Sequence, residues 1–327
     1  MPEATPNKLD SIQQLPGLID NHVNQPASPA LQPVTQDILD RYGNATQAIV
    51  YYGSCLRSNN PFDGLIDLYV LVDKYKIAYP GKTLLPFVNW LLPPNVFYLE
   101  VAVGDQTIRA KYALLSLADF DKATSPRWFH SYIWGRFCQP SRLLYVRNQN
   151  AQQQVVASLT QATITFIHRV VPALREDFDS KTLWSEGLGL SYRTELRPEK
   201  PGRALELYHA DQAYYDALTE PALRTITANV QSVADSQPPS YHCTLTAQQH
   251  RIATISWAVR RVQGKLLSVA RLVKAIFTFQ GGVDYIVWKI ERHSGVTIEV
   301  TDKLRRFPLI FGWGVLWRLH RQGILRS

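Results

Sequence analysis

The chain has 327 residues, of which 46% are apolar and 19% charged, with a formal charge of +8. That balance is enough for a buried core and excludes a disordered or low-complexity protein. The three cysteines, Cys55, Cys138 and Cys243, are odd in number and lack paired spacing, which excludes a disulfide framework and a structural zinc site and points to a reducing compartment.

Residues 1–34 are polar and carry Pro2, Pro6, Pro16, Pro26, Pro29 and Pro33, which predicts a loose N-terminal arm. No secretory or arginine-rich leader pattern is expected there. Residues 36–42 read as a short helix leading to a strand over 48–52, which stops at Gly53-Ser54. After a polar connection over 57–64, a second apolar run over 65–72 has the β-branched and aromatic content of a buried strand. Further strands are predicted over 95–103, 109–117 and 141–146, with a helix over 126–136. This mixture lacks the regular alternation of a doubly wound sheet and predicts an α+β domain over 35–150.

Beyond residue 150 the pattern turns helical. A helix over 152–175 and further helices over 176–234, broken at 194–202, predict a helical domain over 151–235. Residues 234–242, with Pro238-Pro239, read as a linker. No internal repeat, heptad pattern or low-complexity tract is read from the sequence. The longest apolar run, over 307–317, has eleven residues and includes Pro308, Gly312 and Gly314. A membrane span needs about 18 apolar residues, so none is expected.

The charge is uneven. Residues 251–327 hold 14 Lys+Arg against 4 Asp+Glu, a balance of +10, and the first 250 residues carry the remaining −2. The basic excess suggests an anionic partner for the C-terminal quarter, a phospholipid surface or a nucleic acid.

The chemistry is suggested by Gly53-Ser54 followed by Asp67 in a strand of Leu65, Ile66, Leu68, Val70, Leu71 and Val72. Gly53 lets the backbone approach phosphate oxygens, and Ser54 adds a hydroxyl and an amide donor. A carboxylate buried among aliphatics needs a partner, and Mg2+ bridging nucleotide phosphates is an efficient one. This pattern points to a polymerase-beta-type nucleotidyltransferase, in which catalysis is positioning plus charge neutralisation. The second position of the usual Asp-x-Asp pair is Tyr69. Glu100, in the third strand, is the candidate second metal ligand, with a satisfied edge carboxylate as the alternative.

The ordered set Tyr52-Gly53-Ser54, Ile66-Asp67-Leu68-Tyr69-Val70-Leu71-Val72, Lys111-Tyr112, Tyr132-Ile133-Trp134-Gly135-Arg136 with Gln139-Pro140, and Leu190-Ser191-Tyr192 resembles the mitochondrial-type phosphatidate cytidylyltransferases, also described as the mitochondrial translocator assembly and maintenance family. The likeness covers roughly 48–200 and is fainter beyond. A single Asp is normal in that family, whereas Cys55 stands where it usually has Gly. The resemblance implies a bacterial-type member that converts CTP and phosphatidic acid to CDP-diacylglycerol and pyrophosphate. Asp67 would hold Mg2+, and Lys111 would contact or neutralise phosphate, with a solvated strand residue as the alternative. Arg136 would bind the triphosphate or the lipid phosphate. Tyr192 with Arg193, Arg197, Lys200 and Arg203 would form a lipid-phosphate site; a solvated basic loop is the alternative.

A lipid substrate requires contact with a bilayer. On a helix over 259–279, Arg260, Arg261, Lys265, Arg271 and Lys274 fall on one side. Val259, Val262, Leu266, Val269, Val273, Ile276 and Phe277 fall on the other, the pattern of an interfacial helix or of one packed on the core. The final segment joins Trp313 and Trp317 to Arg318 and Arg321, which suits a headgroup zone. Residues 251–327 are therefore expected to associate with an anionic membrane surface, placing the protein in the cytoplasm, peripheral on the inner face of the membrane. Clustered aliphatics argue against a nucleic-acid partner, and a homo-oligomer is compatible with the pattern. The competing readings are a nucleotidyltransferase acting on RNA or protein and an inactive membrane adaptor of the same fold.

Overall fold

The computed structural model describes residues 8–196, 202–226, 229–234, 236–278, 287 and 301. The chain is a mixed α+β protein with a mixed sheet. It opens with α1 (Lys8–Val23), where a loose arm was expected. Leu15, Ile19 and Val23 recur at helical spacing and are each at most 1% exposed. An interior proline such as Pro16 costs about 3 kcal/mol. Three fully buried aliphatic side chains contribute about 1.5–3 kcal/mol each, so burial wins.

Helix α2 (Gln32–Tyr42) precedes β1 (Thr46–Tyr52), α3 (Ser54–Ser58), β2 (Ile66–Val72), α4 (Tyr75–Ala78) and α5 (Leu84–Leu91). Then come β3 (Asn95–Val103), β4 (Gln106–Ser116), α6 (Leu117–Thr124), α7 (Trp134–Phe137) and β5 (Ser141–Val146). The strands form one sheet in the order β3-β4-β2-β1-β5, with β2 and β4 parallel and the other pairs antiparallel. Alternation along β2 supplies both faces of the sheet. Ile66, Leu68, Val70 and Val72 enter one core with Val34 and Ile38 of α2, and Tyr69 and Leu71 enter the other. The helix expected over 126–136 is confined to α7. Before it, bonds such as Tyr132 N–H to His130 Nδ1 replace the helical ladder.

The second half adds α8 (Gln149–Val170), β6 (Asp177–Asp179), α9 (Ser180–Tyr192), α10 (Arg203–Ala210) and α11 (Gln212–Leu223). It closes with β7 (Asn229–Ser232), β8 (Ser240–Thr244) and α12 (Ala247–Thr278). Three short strands, in the order β6-β8-β7, occupy stretches that read as helix or linker. Strands of three to five residues are too short to show a period. One continuous apolar cluster runs from Leu15 of α1 through the sheet and α8 to Trp257 of α12.

Helix α12 is inverted relative to the usual amphipathic arrangement. Its buried or half-buried positions include Trp257, Arg260, Gly264, Arg271 and Lys274, while Val259, Val262, Leu266, Val269 and Val273 face outward. The inner polar groups donate to main-chain carbonyls. Trp257 Nε1 reaches Arg169 O at 3.0 Å, Arg260 Nε reaches Phe129 O at 2.8 Å, Arg271 Nε reaches Pro93 O at 3.2 Å and Lys274 Nζ reaches Pro94 O at 2.6 Å. Of the basic face expected to meet lipid, Arg260, Arg271 and Lys274 therefore pack on the protein, and only Arg261 and Lys265 are exposed. The side chains of Ile276 and Phe277 lie outside the described residues, as do Trp313, Trp317, Arg318 and Arg321. Among the described residues no helix is long and apolar enough to cross a membrane.

Candidate active site

The sheet register aligns Tyr52 of β1, Asp67 of β2, Lys111 of β4 and Tyr98 of β3 in one row across four strands. Paired residues share a face, so Asp67 and Lys111 project together. The Lys111 ammonium lies 2.8 Å from Asp67 Oδ1, close enough for an ion pair but not aligned as a hydrogen bond. Both side chains are mostly covered.

Where β1 ends, Gly53 has φ +97° and ψ −164°, a conformation essentially confined to glycine. A Cβ at this position would stand 3.0 Å from Asp67 Oδ2. The turn thus needs glycine twice, for its backbone angles and for the carboxylate beside it. Ser54 begins α3 and lines the same cavity. Cys55 lies inside α3 and does not line it. Its buried thiol donates to Leu65 O at 3.3 Å and so ties down the loop before β2.

The cavity has a volume of about 270 Å3. Its charged lining is Arg57, Lys111, Arg136 and Arg203 against Asp67 and Glu195, with Tyr52, Tyr69, Tyr132 and Tyr192 as walls. Four cations against two carboxylates favour a polyanion. Arg136 comes from α7. Its Nη2 donates to Glu195 at 3.1 Å and its Nη1 to the Tyr69 hydroxyl at 3.3 Å. It also lies over the Tyr132 ring, 4.3 Å from the centroid, and Arg271 of α12 stacks on that ring at 4.1 Å. Burial alone would raise the Tyr132 hydroxyl pKa, but Arg136 and Arg271 outweigh it and lower the value. Tyr192 donates to Gln139 Oε1 at 2.9 Å. Helix α7 can approach α9 because residue 135 is glycine: a Cβ there would stand 2.1 Å from Ser191 Oγ.

Gly53, Ser54, Asp67, Lys111, Arg136 and Tyr192 are thus brought together, as expected. Glu100 is not. It sits on the edge strand β3, where Arg109 Nε donates to it at 3.0 Å and the Tyr98 hydroxyl at 2.5 Å. It does not line the cavity, so the expected second ligand is a satisfied edge carboxylate. Arg193 turns back to Gly189 O at 3.1 Å and is exposed. Arg197 and Lys200 lie outside the described residues. The carboxylate that sequence reasoning missed is Glu195, three residues beyond Tyr192. Its only signal is an acidic residue among Arg193, Arg197 and Lys200. The chain matches no protein-family model and no curated protein.

Proposed function

We propose that this chain is a magnesium-dependent nucleotidyltransferase that transfers the cytidylyl group of CTP to phosphatidic acid at a membrane surface, giving CDP-diacylglycerol and pyrophosphate. One observation carries the reading. Tyr52-Gly53-Ser54, Asp67, Lys111, Tyr132 with Arg136, Gln139-Pro140 and Tyr192 are far apart in sequence but line a single cationic cavity.

Asp67 fits a magnesium ion. Its Oδ1 is buried without an aligned donor, and its Oδ2 faces the space that only glycine at 53 leaves open. Magnesium commonly takes one or two protein carboxylates and completes its shell with phosphates and water. When bound, the ion would offset charge that builds on the leaving pyrophosphate. Asp67 would hold it, and Lys111 would neutralise a neighbouring phosphate oxygen. Arg136 and Arg57 would orient the triphosphate so that a phosphatidate oxygen attacks the α-phosphorus in line with the departing pyrophosphate.

A lipid acceptor is supported by α5. Leu84, Phe87, Trp90 and Leu91 are between 55% and 65% exposed, and the helix leads into β3, whose Val96 lines the cavity. Exposed Trp and Phe suit a headgroup zone. Helix α5 carries no basic residue, which disfavours a nucleic acid there.

The test is pyrophosphate release from γ-labelled CTP with magnesium and phosphatidate liposomes. Turnover should require phosphatidate and should fall at least about 100-fold in Asp67→Asn. Turnover without phosphatidate, or an unaffected Asp67→Asn, would overturn the reading, and no turnover at all would favour the inactive adaptor.

A further inference from the structure

The outward stripe of α12 has a spacing that neither catalysis nor burial explains. Ile252, Ile255, Val259, Val262, Leu266, Val269 and Val273 alternate steps of three and four residues through three heptads. Each is between 49% and 67% exposed. A strict 3.5-residue repeat is the seam of a helix that meets another helix. The heptad pattern, absent from the reading of the sequence alone, emerges once exposure separates this stripe from the inner one, which has a similar period.

We propose that two copies of this chain pair through this stripe of α12. The helix cannot roll to bury the stripe itself, because Trp257, Arg260, Arg271 and Lys274 hold its inner side on three segments of main chain. The seven side chains expose on the order of 700 Å2, more than the apolar patch of a typical monomer and close to one partner's share of a standard interface. The seam positions are all Ile, Val or Leu, and mostly β-branched, which suits knobs-into-holes packing.

The stripe differs from a lipid-facing one in two respects. It has no Trp or Phe, and only Arg251 and Lys265 flank it, beside Ser256, Ala258, Gln263, Ala270 and Leu272. In an antiparallel pair centred on Val262, Lys265 falls opposite Val259 of the second copy and Arg251 opposite its Val273, so no like charges are opposed. A single self-complementary stripe closes under a two-fold axis, which limits assembly to a dimer.

The test is the solution mass of the full chain by light scattering at about 20 µM, a concentration at which a micromolar or tighter pair is mostly associated. Wild type should have twice the monomer mass of 37.2 kDa. Val262→Glu with Leu266→Glu should weaken pairing at least 100-fold while leaving helix content unchanged, since both side chains are exposed in the single chain. Cross-linking gives a second readout that does not depend on those variants folding. The three native cysteines are buried, so Val262→Cys should form an intermolecular disulfide under mild oxidation, and the exposed control Lys82→Cys should not. A monomeric wild type, or a dimer that survives both glutamates, would overturn the proposal. So would a monomer whose flotation with phosphatidylcholine–phosphatidate vesicles is lost in the double variant, an outcome that would assign the stripe to lipid.

Discussion

At Gly53, backbone conformation and site geometry make the same demand. Any other residue would have to hold φ near +97° and place a Cβ 3.0 Å from Asp67 Oδ2. Gly53→Ala should therefore lower unfolding free energy by about 1–3 kcal/mol, read from urea denaturation, and should also impair metal-dependent turnover by displacing the carboxylate. A loss below about 0.5 kcal/mol would show that the turn relaxes freely. Gly53, Ser54 and Asp67 were legible in the sequence because an acid inside an aliphatic strand, after a glycine that ends another strand, is physically unusual. The same logic misplaced Glu100, since it does not distinguish a central strand from an edge. At the edge, Tyr98 and Arg109 meet the needs of the carboxylate without a metal. Glu195 was hidden because it follows the end of α9, where no periodic pattern marks which way a side chain points. Its partner Arg136 arrives from 59 residues away in sequence.

Among the elements, α12 separates what a sequence pattern determines from what it leaves open. Its two faces were readable from the spacing, but which one would pack on the protein was not. That depended on carbonyls of Phe129, Leu92, Pro93 and Pro94, which no periodicity reveals. Gly264 lies at the closest approach. A Cβ there would stand 2.3 Å from Thr194 O and 3.0 Å from His130 Nε2. In an open helix Gly→Ala stabilises by about 0.5–1 kcal/mol, whereas forcing a methyl into a close backbone contact costs about 1–3 kcal/mol. The second effect should win. Gly264→Ala is expected to lower the urea midpoint and, because Thr194 precedes Glu195, to reduce turnover by loosening Arg136. A raised midpoint would mean that α12 is not seated on this segment.

For the whole molecule, the excess of basic residues in the last quarter suggested a charged surface, yet part of that charge is turned inward. His130 sits among Arg271, Arg136 and Arg260, and burial first, then these guanidinium groups, lower its pKa to about 3. Burial, helped by Arg142, lowers the pKa of His22 to about 4, where its ring lies against Tyr214 between α1 and α11. Both values lie below the unfolded value of 6.5. Between these limits the unfolded chain binds more protons than the folded one, so stability increases with pH across the window. The sign is therefore a loss on acidification that begins near pH 6.5 and continues toward pH 4 and below. Each histidine removes at most about 2 kcal/mol by pH 5, at about 1.4 kcal/mol per pH unit. Urea unfolding should show a fall in stability below pH 6.5 that steepens toward pH 5. His130→Gln, which keeps a polar side chain without a titrating ring, should remove about half of that fall. An unchanged profile in this variant would mean that His130 is not held neutral between α12 and the α7 segment. It would count against the packing that turns the basic face of α12 toward the active site.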